Sequence, residues 1–303
     1  MYAFVFPGQG SQRPGMGQAW RDTESWSIVE RLARETGRDI GRLLVDAGAD
    51  ELKVTANAQL ATFTLSLVIL DAVRSLAYPA PTAVAGHSLG EYSALVAAGV
   101  LEPSEGARLV AARGAAMESA AAAHPGTMAA ILGLDPDGVA AACAAVDGAW
   151  VANDNAPGQI VIAGTAAGVQ AASSRARELG AKRVLPLPVG GAFHTPLMAP
   201  AQDGLDAALA EATFRDGSLP CVANVDAEVH TAAAEWRRLL STQLMAPVRW
   251  RQSLTRLGEL GVTTFVELGP GSELSGMVRR TVDGATRANV AQPDDLTGLA
   301  ALR

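Results

Sequence analysis

The chain has 303 residues, 49% of them apolar but only 5% aromatic, and a formal net charge of −7 at neutral pH. That is enough apolar matter for a real core of alanine, leucine and valine, and the acidity argues against a general nucleic-acid binder. Its two cysteines, Cys143 and Cys221, stand far apart without metal-ligand spacing, so neither a disulfide framework nor a zinc site is expected.

The chain begins with a strand-like run, Tyr2-Ala3-Phe4-Val5-Phe6, and no basic segment leads into a signal-type apolar stretch. Nor does any stretch stay apolar for the roughly 18 residues that a membrane span needs, so a cytoplasmic protein is expected. Pro7 stops the strand, and Gly8-Gln9-Gly10-Ser11-Gln12 follows as a polar loop where open α/β sheets bind ligands. This loop matches neither a dinucleotide fingerprint nor a P-loop. Helices are expected at Trp26–Glu35, Ile40–Leu44 and Ala58–Ala77, the last with Leu60, Phe63, Leu67 and Leu70 at helical spacing. Gln59, at its start, could reach a central loop or simply face solvent.

After Pro79 and Pro81, Thr82-Ala83-Val84-Ala85 reads as a buried strand and Ser93–Ala98 as a helix. Between them lies Gly86-His87-Ser88-Leu89-Gly90-Glu91-Tyr92. A G-x-S-x-G set between strand and helix reads as a nucleophile elbow, with Ser88 exposed at the turn. Pro103 starts an Ala-rich helix through Ala123 that carries Arg108 and Arg113. Small residues surround Arg113 and no acidic partner is near in sequence, so its guanidinium either lies along the surface or enters a cavity.

From Thr127 the order becomes strand Met128–Leu132, helix Asp135–Ala145, strands Trp150–Asn153 and Gln159–Ala163, helix Thr165–Leu179 and strand Arg183–Leu187. This β-α-β-β-α-β order predicts a ferredoxin-like subdomain over 127–188, inserted in an α/β domain formed by 1–126 and 189–303. Asn153-Asp154-Asn155-Ala156-Pro157-Gly158 is expected to be a connecting loop, too polar for a core.

Four histidines make the search for a base short. His87 adjoins Ser88, and neighbouring side chains diverge. His124 ends a helix, where it suits the negative pole, and His230 ends a surface hairpin. His194 alone lies in a Gly-rich loop at the subdomain boundary, stiffened by Pro196. Beyond it, a strand is expected at Pro220–Val225, a helix at Glu235–Leu244 with Gln243 near its end, a helix at Ser253–Leu260, a strand at Val262–Leu268, a tight turn and a helix at Glu273–Val278. The tail from Gly298 is expected to fray.

Ser88 and His194 brought together would form an acyl-serine relay, with oxyanion donors from the Leu89 amide and the early loop near Gln9. No acid stands out to complete a triad: Asp154, Asp203 and Asp206 are the candidates, and a carbonyl could orient the imidazole instead.

At these residues the chain resembles the malonyl-coenzyme A:acyl-carrier-protein transacylases and the acyltransferase domains of fatty acid and polyketide synthases. The matching segments are Phe6–Gln12, Gly86–Tyr92, Arg113-Gly114 with Met117, Asn155–Gly164, Ala192–Met198, Pro247-Val248-Arg249-Trp250 and Glu267–Gly271, in family order. The resemblance implies an α/β hydrolase-like core with parallel sheet and the inserted ferredoxin-like subdomain. It implies Ser88 as nucleophile, His194 as its partner, and Gln9 and Leu89 as the oxyanion hole. Gln243 would orient the histidine through its main-chain carbonyl, Arg113 would pair with the malonyl carboxylate, and Gln59, Asn155 and Phe193 would line the pocket. Phe193 before the histidine and Leu89 after the serine are of the malonyl-selective kind. Two positions depart from the common pattern, Leu60 for proline and Thr195 for serine.

The implied reaction is a ping-pong transfer from malonyl-CoA to an acyl carrier protein, in fatty acid or polyketide synthesis, by a monomer that needs neither metal, membrane nor nucleic acid. Arg249, Arg251, Arg279 and Arg280 are candidates for carrier docking, or ordinary solvated arginines. The competing readings are a serine hydrolase or thioesterase, an editing hydrolase, a transacylase for another acyl unit, and a non-catalytic carrier-docking module.

Overall fold

The computed structural model describes residues 1–76 and 78–300. Among them ten strands form two sheets: β1 (Tyr2–Phe6), β2 (Ala83–Gly86), β3 (Thr127–Leu132), β4 (Ala149–Ala156), β5 (Gln159–Gly164), β6 (Arg183–Leu187), β7 (Cys221–Val222), β8 (Val229–His230), β9 (Thr264–Leu268) and β10 (Thr286–Val290). The larger sheet runs β10-β9-β1-β2-β7-β8 and is parallel except for β8, which closes a short antiparallel hairpin with β7.

β1 lies at the middle of this sheet because both its faces are apolar. Phe4 and Phe6 enter the main core, whereas Ala3 and Val5 join a second cluster with Trp250, Leu254 and Phe265. Such two-sided burial is what a parallel sheet requires. The Thr55–Ser75 helix is apolar nearly all round. By length and composition it could cross a membrane, but 83% of that window is buried here, as in a central core helix. It packs along the Pro103–Ala123 helix. The sequence places the end of the helix expected at Ala58–Ala77 on Ala77, which lies outside the described residues.

The smaller sheet is antiparallel throughout, in the order β4-β5-β3-β6. Two helices, Pro136–Ala144 and Ala166–Glu178, cross one face of it. Alternation along β3 and β5 divides its residues cleanly. Ala129, Ile131, Ile160 and Ile162 pack under those helices, while Met128, Ala130, Val161 and Ala163 face the main core.

Three expectations need correction, and one strand is additional to them. Asn153, Asp154 and Asn155 are not loop residues but the buried end of β4, where register shifts accompany polar partners on the facing domain. The expected strand Pro220–Val225 shrinks to β7, since Ala223 bonds across the tight turn to Glu228. β10 was not foreseen, because only Val290 of its five residues is buried and no apolar alternation marks it. The tail does not fray at Gly298: Asp295–Ala300 is helical, Asp295 Oδ2 accepts from the Ala291 and Gln292 amides of the preceding turn, and Leu299 is buried. The residues after it, 301–303, lie outside those described.

Candidate active site

β2 ends at Gly86 and the next helix, Gly90–Ala97, begins two residues after Ser88. So sharp a turn puts Ser88 in the left-handed region, at φ +52°. A Cβ at Gly86 would meet the Gly90 backbone at 1.9 Å, and one at Gly90 would meet the Phe6 carbonyl oxygen at 2.0 Å, so both glycines are steric requirements. The strained turn, worth about 1–3 kcal/mol, is held by Asn224. Its Oδ1 accepts from the Ser88 amide and its Nδ2 donates to the Gly86 carbonyl, each at 2.7 Å.

His194, also left-handed at φ +61°, places Nε2 2.7 Å from Ser88 Oγ. Its Nδ1 lies 2.9 Å from the Gln243 main-chain oxygen. A carbonyl can only accept, so Nδ1 carries the proton and the Nε2 lone pair faces the serine hydroxyl. Burial, then repulsion by Arg113, lower the imidazole to about 3, against a partial opposing effect of the Gln243 carbonyl. His194 is therefore neutral at rest, in the state of a base. The Asp candidates do not reach it: Asp203 and Asp206 lie on the exposed side of their helix, and Asp154 pairs with Arg251 at 2.7 Å. The amides of Gln9 and Leu89 border the same cleft, and neither has an acceptor among the described residues.

Of the two placements open to Arg113, the structure takes the buried one; the residue is 1% exposed. Nη1 donates to Gln59 Oε1 at 2.7 Å, and Nη2 donates to Gln243 Oε1 at 2.9 Å and to Ser88 Oγ at 3.2 Å. The guanidinium also lies over the Tyr92 ring, 5.6 Å from its centroid. These three acceptors hold Nη1 and Nη2, while Nε is buried with no hydrogen-bond partner among the described residues. Burial lowers the arginine, while Tyr92 and Glu91 act to raise it. A buried cation beside a serine nucleophile is a receptor for an anionic acyl group.

Two residues that sequence reasoning passed over support this centre. Glu91 is fully buried, with Oε1 accepting from the Asn224 amide and Oε2 from Gln243 Nε2, each at 2.6 Å. Burial pushes its carboxyl above the ordinary range, opposed by those two donors and by Arg113. Asn224 was hidden because nothing near it in sequence marks chemistry. Glu91 carried a weak signal, an acid in an otherwise apolar, buried helix.

The wall opposite Ser88 comes from the smaller sheet. Phe193, Met128, Val161 and Leu187 border the cleft. Asn155 borders it too, with its Oδ1 2.7 Å from His87 Nε2, while the His87 ring meets Trp250 edge-on at 5.5 Å. His87 is thus a strut between the two sheets. The seam continues through Val248, whose carbonyl accepts from the Asp154 amide and whose amide donates to Ala152, both at 2.9 Å. The docking candidates fare unequally. Arg251 is committed to Asp154, Arg249 donates to the Asp226 carbonyl, Arg280 bonds Gln159, and Arg279 is exposed. His124 is exposed at a helix end, and His230 sits between Asp226 and Glu235 at 3.1 and 3.0 Å.

The model of the acyl transferase domain family matches residues 3–296. The malonyl CoA-acyl carrier protein transacylase of Bacillus subtilis is 42% identical over 302 residues, which is 97% of this chain and 94% of its own. The Escherichia coli protein of the same name is 42% identical over 299 residues, 96% of each chain. Among solved structures, an acyl-carrier-protein S-malonyltransferase from Burkholderia pseudomallei superposes with a TM-score of 0.94 at 41% identity, covering 99% of both chains. A malonyl-transacylase solved in complex with a type II polyketide synthase acyl-carrier protein gives a TM-score of 0.96 at 36% identity, over 100% of this chain and 99% of that one.

Proposed function

This chain belongs to the malonyl-CoA:acyl-carrier-protein transacylase family, and from that premise we infer how its residues divide the work. It is an acyltransferase that moves malonyl from coenzyme A to the phosphopantetheine thiol of an acyl carrier protein. Malonyl-CoA is the donor, its free carboxylate taken by the Arg113 guanidinium with Gln59 alongside. His194 Nε2 removes the Ser88 proton as Oγ attacks the thioester carbonyl. The amides of Leu89 and Gln9 receive the oxyanion. As the tetrahedral adduct collapses, the carbon–sulfur bond breaks and His194 returns the proton to the departing coenzyme A thiolate. The carrier thiol then gives its proton to His194, attacks the acyl-serine, and leaves with the malonyl group while Ser88 is reprotonated.

The Gln243 main-chain carbonyl serves where a triad acid would stand, orienting the imidazole without adding a charge. Phe193 and Asn155 shape the acyl pocket. The observation that carries this reading is the buried Arg113 with its Nη2 3.2 Å from Ser88 Oγ. An apolar-acyl hydrolase would leave that cation unpaired at a cost of several kcal/mol. We further propose that it acts as a monomer and in the cytoplasm.

The test is intact-protein mass after brief mixing with malonyl-, methylmalonyl- or acetyl-CoA, with and without a carrier protein. The expected result is a malonyl adduct on Ser88 that passes to the carrier. Discharge to water as fast without carrier as with it would instead identify a hydrolase.

A further inference from the structure

The site described so far leaves one buried carboxyl group without a task. Glu91 lies in the first turn of the helix after the nucleophile, wholly enclosed, and no group of the acyl transfer acts through it directly. Each of its oxygens has an N–H donor at 2.6 Å, from Asn224 and from the Gln243 side chain. Two N–H donors on two oxygens is the bonding pattern of a carboxylate, which only accepts.

That pattern fixes something an amide cannot fix for itself. The Gln243 side chain has a donating end and an accepting end of nearly the same shape, so its orientation is set by its partners. With Glu91 beside it, Nε2 is the end that faces the carboxylate, and it also donates to the Ser88 carbonyl at 3.0 Å. Oε1 must then face the other way, where it accepts from Arg113 Nη2 at 2.9 Å. Turned over, the amide would set an N–H against the guanidinium and a carbonyl oxygen against the carboxylate. We propose that Glu91 is a positioning residue for acyl-group selectivity: by holding the Gln243 amide in one orientation, it keeps an acceptor on Arg113 and so aims the guanidinium at a dicarboxylic acyl group.

The groups facing Glu91 from every side are consistent with this task. Among the described residues Asn224 presents a backbone amide, Gln243 its side-chain amide, Arg113 a cation and Asp226 a second acid that act on it. Gln59 holds the other arm of Arg113, so the guanidinium is braced on both sides, by Gln59 on Nη1 and by Gln243 on Nη2. Loss of the Gln243 brace leaves Ser88 and His194 connected, because His194 is oriented by the Gln243 main chain and not by its side chain.

The inference rests on the malonyl-transfer reading, and its test separates the two. Loading of Ser88 is measured by intact mass for malonyl-CoA and acetyl-CoA in wild type, Glu91→Gln, Gln243→Glu and the double variant E91Q/Q243E. In E91Q an amide can face an amide, and the ratio of malonyl to acetyl kcat/KM is expected to fall at least tenfold, chiefly through a higher malonyl-CoA KM. Q243E sets two carboxylates face to face and is expected to lower the ratio as well. The double variant restores a donor opposite a carboxylate and an acceptor on Arg113 but removes the donor to the Ser88 carbonyl, so it should regain part of the selectivity lost by E91Q.

Equal loss of malonyl and acetyl loading in E91Q would show a merely structural elbow residue and overturn the proposal. So would a double variant that recovers none of the ratio. Should E91Q alone not fold, the double variant decides: folded and selective supports the assignment, unfolded or unselective rejects it. If the wild type itself loads no malonyl, the transfer reading fails first.

Discussion

The two sheets meet at the cleft but bring different things to it. The larger sheet and its helices carry the nucleophile and the polar groups around it, namely Ser88 just after β2, Arg113 on the Pro103–Ala123 helix, and Asn224, Gln243 and Glu91 beneath them. The smaller sheet supplies the wall that faces them, through Met128, Val161 and Leu187 with Asn155 at its edge. Near Ser88 the polar groups are buried and paired to one another at 2.6–3.2 Å. At the seam the described residues join through the Arg251–Asp154 ion pair with Gln252 also on Asp154, the His87–Asn155 strut, Arg280 on Gln159 and a pair of backbone bonds. Fixed dipoles belong where charge develops, because they then need no reorganisation during the reaction. A wall only has to fill space and can be joined more sparsely.

This contrast predicts that damage to the two regions separates activity from stability. The largest effect belongs to Ser88→Ala, which should show no acyl adduct by mass while retaining its melting temperature. An adduct on that variant would move the nucleophile elsewhere. Next, Arg113→Ala should lower malonyl loading about 10²–10³-fold, roughly 3–4 kcal/mol, with little change for acetyl-CoA. Parallel loss for both acyl groups would make Arg113 a scaffold residue instead.

His194 tests the region from its titration. Its imidazole falls from the usual 6.5 to about 3 on folding, so below pH 6.5 the unfolded chain binds a proton that the native state refuses. Stability is therefore fully present above pH 6.5 and declines as pH drops towards 3, by about 2 kcal/mol between pH 7 and 5 from this group. Urea unfolding of wild type and His194→Gln at both pH values checks it, since the variant should lose that much less. The acylation rate should stay level through pH 6.5, and a fall centred there would indicate a solvated base.

The smallest effect lies at the seam. Asp154→Asn removes the half-buried pair with Arg251 and should cost about 1–2 kcal/mol in thermal or urea unfolding, with malonyl loading changed less than about threefold. A large loss of loading with unchanged stability would place the seam within the catalytic unit and erase the contrast between the sheets.

By itself the sequence determined the local features that carry their own signature. The serine elbow followed from two glycines whose hydrogens face backbone at distances no Cβ tolerates. The βαββαβ order of the smaller sheet followed from alternation and stop signals, and His194 stood out as the histidine in a Gly-rich boundary loop. What only the tertiary structure decided were matters of partnership. Whether Arg113 meets solvent or the nucleophile depends on Gln59 and Gln243, 54 and 130 residues away in sequence. Asn153–Asn155 read as too polar to bury because their partners, Val248, Arg251 and His87, lie in the other domain. Glu91 and Asn224 were silent for the same reason: a buried polar group is tolerated only when its hydrogen bonds are met, and here they are met by residues that sequence proximity does not reveal.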